Sequence, residues 1–70
     1  MADPRKLLGR AIRKRREELG LTQEELAERA DLHWTYISGI ERGIRNVTIV
    51  KLSDIAHALE VKVRDLVEGL

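Results

Sequence analysis

Between Thr22 and Gly43 the chain spells two short helices with only three residues, Asp31, Leu32 and His33, to join them. The first opens at Thr22-Gln23-Glu24-Glu25. There the Thr22 hydroxyl can accept the amide N–H of Glu25 while the Glu25 carboxylate reaches back to the Thr22 amide, a capping box. Leu26, Ala27 and Ala30 supply its inner face. The second runs from about Trp34 to Glu41, turns Ile37 and Ile40 inward, and stops at Arg42-Gly43. A turn this short forces the second helix to cross the first at a steep angle. Ala27, which is small, falls where the two would approach most closely.

The flanking segments carry the same punctuation. Asp3-Pro4 is a start signal, with Asp as N-cap and Pro at the first helical position. Leu8, Ile12 and Leu19 follow at helical spacing, and Gly20 ends the segment. After the loop Ile44-Arg45-Asn46-Val47, Thr48 can cap a fourth helix whose apolar positions are Leu52, Ile55, Ala56 and Leu59. A fifth short helix is expected from about Val63 to Val67. No stretch alternates with period two for long enough to make a sheet, and there is no repeat or linker. The expectation is a compact, five-helix, all-α domain spanning 1–70. The sequence has no cysteine, so neither disulfides nor thiolate metal sites can brace so short a chain. Tight helix packing, an oligomer, or both must do so.

Net charge is only +1, but its distribution is uneven. Of the thirteen Lys and Arg residues, seven precede Glu17, and acids cluster from Glu17 to Asp31. That permits a nucleic-acid face and equally a solvated helix surface. The third helix is more informative. With Ile37 and Ile40 inward, it presents Trp34, Thr35, Ser38 and Gly39, with Tyr36 beside them. This face is polar and aromatic rather than charged. A helix fits the major groove, where residues of its N-terminal part reach base edges, as in a helix-turn-helix. Enzymatic readings have no nucleophile paired with a base, no glycine-rich phosphate loop and too little chain for a deep pocket. His33 reads as a capping or surface residue and His57 stands alone, so no metal or other cofactor is expected. No apolar run is long enough for a membrane span, and MADPRKLLGR lacks the stretch of a signal peptide, so a cytoplasmic location is expected.

The string LGLTQEELAERADLHWTYISGIERGIRNVTIVKLSDIAHALEV resembles the phage-repressor (lambda-repressor-like) type of helix-turn-helix domain, here at about 22–42. Thr35-Tyr36-Ile37-Ser38-Gly39-Ile40-Glu41-Arg42, followed by Arg45-Asn46 and Thr48, is most similar to the controller proteins of restriction–modification systems. The resemblance implies a sequence-specific transcriptional regulator of double-stranded DNA. It implies that Trp34, Thr35 and Ser38 face bases, that Gln23 contacts a phosphate and braces the third helix, and that Tyr36, Arg42, Arg45, Asn46 and Thr48 hold the DNA backbone. Trp34 departs from the pattern, since the controllers carry a basic residue there, which implies a different operator. An arginine–glutamate pair is also implied, at Arg16 and Glu41. Arg15 and Arg16 flank the apolar stripe of the first helix equally, and only the resemblance selects Arg16.

One short helix reads few base pairs, so a homodimer on a palindromic operator is expected, with half-sites about 34–36 Å apart. Val61, Val63, Leu66, Val67 and Leu70 are the candidate interface, although Val63 and Leu66 could instead complete the monomer core. No small-molecule effector is expected. The rival expectation is a protein-interaction module, adaptor or antitoxin-like, on the same fold. An outward face of the third helix that is polar and exposed separates the two.

Overall fold

The computed structural model describes residues 3–70. Five helices follow in order: α1 (Pro4–Glu18), α2 (Gln23–Ala30), α3 (Trp34–Glu41), α4 (Ile49–Ala58) and α5 (Val63–Val67). There is no strand among the described residues.

Local chemistry sets the helix ends. The Asp3 carboxylate accepts the Arg5 amide at 2.9 Å, and the Thr48 hydroxyl accepts the Lys51 amide at 3.2 Å. At α2 both arms of the capping box form, with Glu25 N–H to Thr22 Oγ1 at 3.0 Å and Thr22 N–H to Glu25 Oε1 at 2.9 Å. The bonds received by Glu25 hold its carboxyl below the ordinary glutamate range. The chain leaves α1 and α3 through Gly20 (φ +71°) and Gly43 (φ +72°), and leaves α2 through Asp31 in the same left-handed region (φ 57°).

The core is one cluster. Ile12, Leu26, Ile37, Ile40, Ile55 and Leu59 are fully buried, one or two from each of α1 to α4 with Leu59 closing α4. Each such side chain stabilises the fold by roughly 1.5–3 kcal/mol relative to exposure. Leu19, expected on the α1 stripe, is only half-buried and packs on the edge of the cluster. α3 lies against both α1 and α2, while α2 also packs on α4 and α1 on α5.

The α1–α3 contact depends on a residue without a side chain. A Cβ on Gly9 would meet the Ile40 carbonyl, and would lie 2.6 Å from the Glu41 carbonyl oxygen and 2.9 Å from its carbon. Only glycine lets the α1 backbone settle onto the last turn of α3.

Candidate nucleic-acid interface

α3 divides into two faces. Ile37 and Ile40 anchor the helix in the core, while Trp34 is 46% exposed, Thr35 is exposed and Ser38 is half-buried on the other side. These three side chains thus share an outward, polar and aromatic face, as a DNA reader requires and a buried docking face does not. Gly39, expected outward, is buried instead. A Cβ there would sit 3.3 Å from Arg45 Cβ and 3.5 Å from its Nε, so the missing side chain is the bed on which Arg45 lies across α3. At the head of the helix, His33 Nδ1 accepts the Thr35 amide at 3.2 Å and lies 2.7 Å from Thr35 Oγ1. The imidazole stacks beside the Trp34 indole at 6.1 Å between centroids.

The 44–47 loop folds back to this face. Tyr36, half-buried, has the Arg45 guanidinium 5.0 Å and the Lys51 ammonium 4.6 Å from its ring centroid. Cations placed over an aromatic face are attracted to its negative quadrupole. The Tyr36 hydroxyl reaches the Asn46 carbonyl at 3.5 Å. One aromatic ring therefore gathers α3, the loop and the first turn of α4. Lys51 escaped sequence reasoning. Its signal is a basic residue in the first turn of a helix that follows a basic loop. Arg42, Arg45, Asn46 and Thr48 are exposed, with Arg42 Nε bonded to the Ser38 carbonyl at 3.4 Å. The Thr48 oxygen already accepts the Lys51 amide, which leaves its hydroxyl proton available for donation.

Behind the face lies a buried polar network. Arg16 Nε and Nη2 meet the two Glu41 oxygens at 2.7 and 3.0 Å, a bidentate pair, and Nη1 donates to the Leu21 carbonyl at 2.8 Å. Gln23 Nε2 adds a bond to Glu41 Oε1 at 3.1 Å. Side-chain exposure is 11% for Arg16 and 3% for Glu41. The Glu41 carboxylate raises the Arg16 guanidinium above its ordinary pKa by hydrogen bonding to its charged form, with burial opposing. Arg15 points elsewhere and donates to the Leu59 carbonyl at 3.0 Å. Gln23, first residue of α2, is thus held by the last residue of α3.

The apolar residues of the C-terminal segment divide. Leu66, placed among candidate interface residues, is only 4% exposed and belongs to the monomer's own core. This corrects its assignment: α5 is tethered by this side chain. Val61, Val63 and Val67 are half-buried at the edge of the cluster, and Leu70 is exposed. Further exposed apolar residues, Ile44, Ile49 and Val50, lie around the start of α4, and Leu70 shares a groove with Arg45, Asn46 and Val47 in that same region. Among the described residues no three His, Asp or Glu side chains group as metal ligands, and no helix is long and apolar enough to cross a membrane.

Residues 12–66 match the helix-turn-helix family. An HTH-type transcriptional regulator of Sinorhizobium fredii is 45% identical over 65 residues, 93% of this chain and 84% of the relative. The control protein C.BamHI of Bacillus amyloliquefaciens is 45% identical over 65 residues, 91% of this chain and 80% of the relative. Among solved structures, the restriction–modification controller protein C.AhdI of Aeromonas hydrophila superposes with a TM-score of 0.87 at 39% identity, covering 89% of this chain and 94% of that one.

Proposed function

The chain belongs to the helix-turn-helix family of DNA-binding transcriptional regulators, and from that premise we propose that it binds a palindromic operator as a homodimer and acts as a controller of a restriction–modification system. The observation that carries the reading is the exposed face of α3, with Trp34, Thr35 and Ser38 on a helix whose opposite side is locked in the core. In this reading those three side chains meet base edges in the major groove. Arg42, Arg45, Asn46, Thr48 and Lys51 neutralise or bond the flanking phosphates, with Tyr36 bracing Arg45 and Lys51. Gln23 sits at the start of α2, where free amide groups and the helix dipole favour a phosphate.

Two copies would pair through Val61, Val63, Val67 and Leu70, apolar side chains that the monomer leaves half-buried or exposed. The protein would work in the cytoplasm and respond to its own concentration rather than to a bound effector. Selection of bound DNA from a random pool tests the operator-binding part of the proposal. The expected result is a palindromic consensus with half-sites about one helical turn apart. A pool that stays random, or a consensus without dyad symmetry, refutes it.

A further inference from the structure

His33 does more than cap α3. A backbone N–H can only donate, and the Thr35 amide donates to His33 Nδ1 at 3.2 Å. Nδ1 therefore carries a lone pair and no hydrogen, and the ring proton is on Nε2. Thr35 Oγ1 lies 2.7 Å from that same nitrogen. The one Nδ1 lone pair is shared by the two donors: the amide holds it at 3.2 Å, and the closer hydroxyl, at 2.7 Å, donates its proton to the same nitrogen. That proton is committed to the protein, and Oγ1 faces solvent with lone pairs alone. The Trp34 indole lies alongside the imidazole, with 6.1 Å between ring centroids.

We infer that His33 converts Thr35 into an acceptor-only reader, which selects an exocyclic amino group of DNA, adenine N6 or cytosine N4, over a keto oxygen. A free threonine hydroxyl serves either partner, since it donates and accepts. Here the donor half is removed, so guanine O6 and thymine O4 meet a lone pair with a lone pair. His33 is a positioning residue in this scheme and touches no base itself. The inference rests on the operator-binding reading above.

Competition binding with variants of the selected operator tests it. Thr35→Val keeps the side-chain shape, removes the hydroxyl, and should erase the preference at one position of each half-site. At that position the wild-type chain should favour the amino base by roughly five- to a hundredfold over a keto base. Replacing adenine there with purine, or removing the cytosine amino group, should cost part of that factor, since it deletes the hydrogen bond without setting a lone pair against a lone pair. His33→Asn should retain the preference, because its amide oxygen can cap the helix and accept the same hydroxyl proton. His33→Ala releases the proton, so keto bases should be accepted about as well as amino bases at that position while other positions keep their preferences. A purely structural role for His33 would weaken every site by one common factor. The wild-type arm uses base analogues alone and decides the hydroxyl's role even where His33→Ala fails to fold. A guanine or thymine preference at the marked position, no position marked by Thr35→Val, or an unchanged preference in folded His33→Ala overturns the inference while leaving operator binding intact. A random-pool selection without any consensus overturns the operator-binding reading and this inference with it.

Discussion

Removing either partner of the Arg16–Glu41 pair should cost this chain a large share of its stability. Arg16→Ala deletes three hydrogen bonds, two to Glu41 and one to the Leu21 carbonyl. It leaves a carboxylate that is 3% exposed with only the Gln23 amide as partner. Glu41→Ala also deletes three, two from Arg16 and one from Gln23, and leaves the guanidinium with the Leu21 carbonyl alone. Breaking a buried pair in this way costs about 3–5 kcal/mol, against a total of roughly 3.5–10 kcal/mol for a domain of 70 residues. The double variant Arg16→Met/Glu41→Leu removes both charges and should recover much of the loss. Urea unfolding of the wild-type chain, the two single variants and the double variant at one neutral pH measures all of this. Single-variant losses under about 1 kcal/mol, the value of an exposed pair, would refute the reasoning.

Four further outcomes are expected. Arg45→Gln and Lys51→Gln should each lower the slope of log affinity against log salt by about one unit on every DNA sequence; unchanged slopes would remove both from the phosphate contacts. Val67→Glu should sediment as a folded monomer with weak operator binding, whereas Leu66→Glu should unfold, because Leu66 is core; a dimeric Val67→Glu would move the interface elsewhere. Gly9→Ala should lower Tm although alanine gains about 1 kcal/mol as a helix former, since its Cβ would collide with the α3 carbonyls; an unchanged or higher Tm would deny the close approach. Glu25 has a folded-state pKa below its unfolded value, so its contribution is present above the ordinary glutamate value of about 4.3 and is lost as the pH falls below it. Glu25→Gln should accordingly flatten acid unfolding in that window, and an identical acid limb in both proteins would exclude the capping box as a cause.

What could be read from the sequence was what local rules govern. Asp3, Thr22 and Thr48 can each satisfy amides two or three residues ahead, whatever the rest of the chain does. The phase of Ile37 and Ile40 settles which side of α3 looks outward. What could not be read depends on segments returning through space. Gly39 lies beside the outward face on the wheel, but the 44–47 loop brings Arg45 over it. Lys51 meets Tyr36 only because the same loop brings the first turn of α4 to that ring. Arg15 and Arg16 are equivalent on α1 until the neighbours are in place: one faces the end of α4, the other the end of α3. On α5, five residues long, Leu66 and Val67 are both apolar, and only the packing assigns the first to the core.

The seat of α1 on the last turn of α3 separates two kinds of inheritance in this chain. Gly9 and the Arg16–Glu41 pair determine how the reading helix is carried, and none of them lies on its outward face. Trp34, Thr35 and Ser38 form that face, and none of them belongs to the buried cluster. A lineage could therefore exchange the three outward side chains and acquire a new address in the genome on the same mount. A change at Gly9 would instead tilt the helix and misdirect every contact together.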